Sequence, residues 1–143
     1  MSKRSIIILW VFIVCFMPCS ARADSHRMET TPTAWGWYRN LSDADIVDII
    51  DSTGARLIDI ELESIDPLRF AAAFVHNSGV YAETWWWYFD QTAGDIDVLL
   101  DRNEARLIDI ERYNTLSGPR YAVIMVDNSG ADAIAWWWYL GVD

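Results

Sequence analysis

Lysine is nearly missing from this 143-residue chain and cysteine is almost as scarce: Lys3 is the sole lysine, and Cys15 and Cys19 are the two cysteines. All three lie before residue 24. Whatever folds beyond that point has no disulfide to staple it and no thiolate for zinc or nucleophilic chemistry, so it must rest on an apolar core. Histidine is limited to His26 and His76. A site built on His76 and Ser78 would need an orienting acid and oxyanion donors that the sequence does not advertise. His76 is therefore read as a solvated turn residue and the chain as non-enzymatic. Long apolar runs are missing too. The longest, Ile6 to Met17, has 12 residues, well short of the roughly 20 that a membrane-spanning helix needs.

That run does have a reading. Lys3 and Arg4 precede it, and Ala21 and Ala23 follow as the small residues of a cleavage site, the pattern of a secretory signal over 1–23. The expectation is a secreted or periplasmic protein with a disordered leader over 24–34. Beyond residue 23 stand eight arginines against 21 acidic residues, a net charge of −13. Such a field repels nucleic acid and anionic lipid, which excludes nucleic acid, and a membrane after cleavage, as partners.

What the chain has in quantity is tryptophan, nine in all, and an internal repeat. "ARLIDIE" occurs unchanged at 55–61 and 105–111. Residues 35–61 align with 85–111 at an offset of 50, with 13 identities in 27 positions, and 70–84 align with 121–135 at an offset of 51, with 6 in 15. The sequence divides accordingly into unit 1 over 35–84, unit 2 over 85–135 and a closing strand of unit 2 over 136–143. Three aromatic runs fall at matching places: "WGWY" at 35–38, "WWWY" at 85–88 and "WWWY" at 136–139.

Within each unit, Ser42 or Thr92 followed three residues on by Asp45 or Asp95 marks a helix start. Apolar residues at Ile46, Ile49, Ile50 and at Ile96, Leu99, Leu100 form its buried stripe. "ARLIDIEL" alternates as a half-solvated strand, with Ile58, Ile60 and Leu62 on one face and Asp59, Glu61 and Glu63 on the other. "FAAAFV" and "YAVIMV" are apolar on both phases and predict central strands. Asn-Ser-Gly then suits a tight hairpin from which the tryptophan strand returns. The expected fold is α+β: two tandem units, each a short helix followed by a three-stranded antiparallel meander, with one extra leading strand.

Strand alternation splits the aromatics into two phases. Trp35, Trp37, Trp85, Trp87, Trp136 and Trp138 hold one phase without variation and are read as structural core. The other phase accepts Gly36 and leaves Trp86, Tyr88, Trp137 and Tyr139. These are read first as packing between sheet and helix or between units, with ligand stacking as the rival use. Paired acids at Asp43 and Asp45, Asp95 and Asp97, and Asp109 and Glu111 lack a calcium loop with its glycine bend. No metal and no cofactor is expected. Arg56 and Arg106, beside Asp59 and Asp109, are read as partners for the acidic surplus.

Taken in order, "WWWY", the D-I-x-x-L-L helix, "ARLIDIE", "YAVIMV" and "NSGA" resemble the bacterial tandem repeat domain, a structural repeat also seen in polyglycine hydrolase-like proteins. The resemblance implies a non-catalytic array that in relatives stands beside a β-lactamase-like serine hydrolase domain. That partner domain uses a Ser-x-x-Lys nucleophile, and no lysine follows Lys3. The function expected is a secreted binding or scaffolding module for polypeptide or cell-surface partners, able to self-associate; the alternative is an extracellular carbohydrate-binding module using Trp86 and Trp137.

Overall fold

The computed structural model describes residues 34–140. The signal expected over 1–23, the leader over 24–34 apart from Ala34, and residues 141–143 lie outside the described residues. The chain runs β1 (Trp35–Leu41), α1 (Asp43–Thr53), β2 (Ala55–Ile65), β3 (Leu68–His76), β4 (Trp85–Gln91), α2 (Ala93–Asn103), β5 (Ala105–Thr115) and β6 (Gly118–Asp127). Two three-stranded antiparallel sheets result, ordered β1-β3-β2 and β4-β6-β5. This is an α+β fold of two similar units, each with one helix and three antiparallel strands.

Both helices start as the sequence indicates. The Asp45 N–H donates to Ser42 Oγ at 3.2 Å while the Ser42 N–H donates back to the Asp45 carboxylate at 2.8 Å. Thr92 and Asp95 repeat the exchange at 3.2 and 2.9 Å. These boxes satisfy amide groups that the first turn leaves without a helical partner. Both helices stop on a left-handed residue, Gly54 at φ 65° and Glu104 at φ 49°. Glycine adopts that conformation freely; Glu104 places its Cβ against the following carbonyl.

Strands β3 and β6 are the central ones, buried on both faces as their unbroken apolar sequence requires. All six residues from Tyr121 to Val126 are buried. Strand β2 departs from the simple alternation. A register shift between Leu57 and Asp59 inserts Ile58 as an extra residue, so Ala55, Leu57 and Ile60 are buried while Ile58 is half-exposed. The same shift lies between Leu107 and Asp109 in β5. A bulge of one residue flips the side-chain phase, which a period-two pattern cannot anticipate.

The tryptophan strands join their sheets differently from a simple meander. After β3, Asn77-Ser78-Gly79 does not fold back as a hairpin. Gly79 at φ 63° opens a short 3₁₀ turn over Gly79–Tyr81. Asn77 then grips the departing chain, its Oδ1 accepting from the Glu83 N–H at 2.8 Å and its Nδ2 donating to the Glu83 carbonyl at 3.0 Å. Asn128 holds Ile134 in the same way, at 2.9 and 3.0 Å. The chain is thereby led across to a new sheet, and β4 pairs with β6 instead of β3. Strand β1 is consequently no extra element but the edge of unit 1's own sheet, and β1 to β3 fall within 35–84. Of the closing strand expected over 136–143, the described residues up to 140 join neither sheet.

Two apolar clusters hold the units. The first joins α1 and the inner face of the β1-β3-β2 sheet to Trp85, Trp87, Phe89, Tyr113, Ala122 and Ile124 from the second unit. The second lies between α2 and the inner face of the β4-β6-β5 sheet, with Trp86, Tyr88, Trp136 and Trp138 packed against it. Strands β2 and β5 run close together at the seam.

The two helix ends differ by one residue type, which yields a paired expectation. Glu104→Gly relieves the left-handed strain and raises stability by about 0.5–1 kcal/mol, whereas Gly54→Ala lowers it by about 1 kcal/mol. Urea unfolding of both variants gives the two signs.

Candidate binding site: the aromatic runs

Register separates the aromatic residues into outer and inner sets. In β4, Trp85 and Trp87 stand opposite Val126 and Ile124, while Trp86 and Tyr88 stand opposite Met125 and Val123. Met125 and Val123 belong to the cluster under α2, and Trp86 and Tyr88 pack against that cluster, half-buried. Tyr88 is also tied to the end of α2, its Oη accepting from Asn103 Nδ2 at 3.0 Å and from an Arg102 guanidinium nitrogen at 3.3 Å. The inner aromatics of unit 2 thus fasten sheet to helix, the first of the two readings above.

The outer pair reaches the other way. Trp85 and Trp87 are half-buried against the core of unit 1, and Trp87 stacks on Phe89 with ring centroids 5.4 Å apart. Tyr113 adds an edge-on contact to Phe70 of unit 1 at 6.5 Å. Trp136 and Trp138 rest on the core of unit 2 in the corresponding way. Each outer pair therefore covers the unit before it.

This rule explains where the core assignment fails. Trp35 and Trp37 are 74% and 54% exposed, because among the described residues no unit precedes β1 for them to cover. Trp37 carries the Arg39 guanidinium 5.9 Å above its ring. Trp137 and Tyr139, the inner-phase residues of the last run, are 76% and 73% exposed. The structure therefore parts the four ligand-binding candidates into two packed residues and two open ones.

Unit 1 differs most at Gly36, which takes the place of Trp86. Gly36 pairs with Phe74 as Trp86 pairs with Met125. Tyr38 leans across the glycine, its ring edge 2.8 Å from where a Cβ would stand, and meets Phe74 edge-on at 5.8 Å. A cavity of about 190 Å³ remains there between β1 and α1. Sequence reading registered the glycine as tolerance and missed that it opens a cavity. The signal was present in the offset-50 alignment, where a tryptophan in one copy faces nothing in the other.

The seam is acidic. Asp109 accepts from the Ile60 N–H at 2.7 Å and from the Ile110 N–H at 2.9 Å. A carboxylate of β5 thus satisfies an amide of β2, an edge strand of its own sheet. Burial pushes both carboxyls above their ordinary values of 3.8 and 4.5, and Asp59 and Glu61 across the seam push the same way. These acids were read from sequence as a solvated strand face; the edge strand that Asp109 caps could not be seen from either strand alone. Arg56 and Arg106 do not take the role expected of them. Among the described residues the ion pairs are Arg39 with Glu63 and Arg120 with Asp90, and the buried Arg56 Nε has no hydrogen-bond partner.

His76 is half-buried at the end of β3 and borders the Gly36 cavity. Among the described residues no group of three or more His, Cys, Asp or Glu side chains is placed to hold a metal ion. No helix among them is long and apolar enough to cross a membrane.

Two measurements test this arrangement. Trp87→Ala uncovers the core of unit 1 and costs about 2–4 kcal/mol, whereas the equivalent Trp37→Ala changes stability by less than about 1 kcal/mol; urea unfolding of the matched pair checks the difference. For pH the signs oppose. A carboxyl raised in the folded state binds more protons there than when unfolded, so stability falls as pH climbs through the window above its ordinary value. Lowering the pH from 7 toward the ordinary carboxylate range therefore raises the melting temperature through Asp109 and Glu111, and Asp109→Asn reduces that gain. Asp45 and Asp95 are held below 3.8 by the hydroxyls and amides of Ser42 and Thr92, and Glu63 below 4.5 first by the Asn40 amide. Their contribution is present above the ordinary values and is lost in stronger acid.

The chain matches no family model, no curated protein and no solved structure.

Proposed function

We propose that this protein is an exported, non-catalytic repeat module that binds polypeptide through the outer face of unit 1, in the manner of a bacterial tandem repeat domain. One observation carries the reading. The outer indoles at 85 and 87 are half-buried by protein, while their equivalents Trp35 and Trp37 stand open at 74% and 54% exposure. An aromatic face of this kind, rimmed by Arg39, has the composition of a binding patch. What covers the equivalent face in unit 2 is the apolar core of another folded unit, so a polypeptide surface is the chemistry that fits.

Export is supported by the signal-like segment over 1–23, and the absence of catalysis by the isolated histidine and the lack of lysine after Lys3. The carbohydrate reading needs Trp86 and Trp137 to act as a row. Trp86 is packed against the α2 cluster, which leaves Trp137 and Tyr139 to carry that reading.

The test is capture of protein partners from the native extracellular fraction by the wild-type chain and by a Trp35→Ala, Trp37→Ala double variant. The expected result is a partner retained by the wild type and lost by the variant at an unchanged melting temperature. Equal capture by both, or binding of glycans alone on an array, overturns the reading.

A further inference from the structure

The cavity at Gly36 has a counterpart that shows what fits it. At the same place in unit 2 an indole, Trp86, fills the space between the edge strand and the helix. The surroundings correspond position by position: Tyr38 to Tyr88, Ile49 to Leu99, Phe74 to Met125. Unit 1 keeps the frame of an indole site and lacks the indole. At about 190 Å³ the space exceeds the ~150 Å³ that suffices for benzene in an engineered apolar cavity. The effect reaches α1: Ile49 and Ile50 are half-exposed where Leu99 and Leu100 are each 7% exposed.

Tyr38 stands in for the missing ring. In unit 2 the corresponding tyrosine is drawn to the helix end by Asn103 and Arg102. Unit 1 has Thr53 and Ser52 at those positions, and both hydroxyls donate to the Ile49 carbonyl of their own helix. Tyr38 lies instead over Gly36, 45% exposed, where the far end of its side chain can swing aside.

The same chain displays an unused indole. Residues 136–139 repeat the "WWWY" of 85–88, and Trp137, the equivalent of Trp86, is 76% exposed. Strand β1 is an edge strand, with its outer side unpaired in the sheet. We infer that the Gly36 cavity is a binding site for an indole ring and that its ligand is Trp137 of a second copy of this chain. The donor segment lies along the free edge of β1, keeping Trp136 and Trp138 on its own unit 2, and sends Trp137 into the site as Tyr38 moves out. In the antiparallel register that sets Trp137 opposite Gly36, the small Ala135 falls opposite Tyr38 and leaves the ring room. An added strand satisfies edge amides as it places the side chain. Donor and acceptor are different surfaces, so one copy gives its Trp137 to one neighbour and accepts that of another, head to tail.

This inference uses Gly36 and Trp137 and does not depend on the partner proposed for Trp35 and Trp37. Its test is sedimentation velocity over a range of concentrations. The wild-type chain is expected to form concentration-dependent oligomers. Gly36→Trp, which fills the site from within, and Trp137→Ala, which removes the donor, each weaken association roughly thirtyfold or more, the loss expected of a buried anchor tryptophan. Gly36→Trp retains the donor and Trp137→Ala retains the acceptor, so an equimolar mixture forms a heterodimer and stops there. Free indole at millimolar concentration dissociates wild-type oligomers, which keeps the site testable should Gly36→Trp fail to fold. A monomeric wild-type chain, oligomers that persist in Trp137→Ala, or a mixture that stays monomeric overturns the inference.

Discussion

The arrangement depends on a pair of indoles from one unit covering the core of the unit before it. A helix laid on a three-stranded sheet leaves part of its apolar cluster open, and with no disulfide in the folded region the area must be covered by side chains. Trp85 and Trp87 supply that cover for unit 1, and Trp136 and Trp138 supply it for unit 2. Burying an indole removes some 150–250 Å² from water, more than most residues can offer from one strand position. The dependence runs in one direction along the chain, as in stacked repeat proteins whose units contact their neighbours. It also accounts for the two exposed ends, since the first outer pair has nothing before it and the last inner pair has no helix over it among the described residues.

The copies keep each structural task while changing the residue that performs it. Strands β1 and β4 each carry a left-handed residue before the helix, Asn40 at φ 57° and Asp90 at φ 56°. Its amide is satisfied by the Glu63 carboxylate in unit 1 and by the Tyr113 hydroxyl, at 2.9 Å, in unit 2. Residues 63 and 113 are equivalent at the offset of 50. Glu63 stays near solvent with Arg39 beside it, whereas Tyr113 is 4% exposed and packs on Phe70 across the seam. Position 113 faces unit 1 across the seam and takes an aromatic ring there, whereas position 63 does not.

Charge is tolerated at the seam on a condition. Asp109 and Glu111 sit partly buried near Asp59 and Glu61, an unfavourable grouping offset at Asp109 by the Ile60 N–H of the neighbouring unit's edge strand and by the Ile110 N–H. Hydrogen bonds to ionised acceptors are among the stronger kind, and an edge amide left without a partner is costly. The duplicated "ARLIDIE" thus serves twice with different results: in β2 it presents the Ile60 amide, and in β5 it presents the Asp109 carboxylate that caps it.

By itself the sequence determined the elements and their repetition. Ser42 and Thr92 with Asp45 and Asp95 marked the helix starts, the i, i+3, i+4 stripes marked the faces that α1 and α2 bury, and the two-phase apolar runs marked β3 and β6 as central. Each is a local property, set by chain geometry within a few residues. Tertiary structure decided which strand pairs with which. Asn77 and Gly79 carry hairpin chemistry, yet the Asn77 grip on Glu83 turns the chain to a new sheet, and that choice depends on a partner strand, β6, more than 30 residues away. The same holds for the tryptophans. Alternation placed Trp37 and Trp87 on one phase, but burial depends on whether a neighbouring unit is there to be covered, and no periodicity within a strand contains that information.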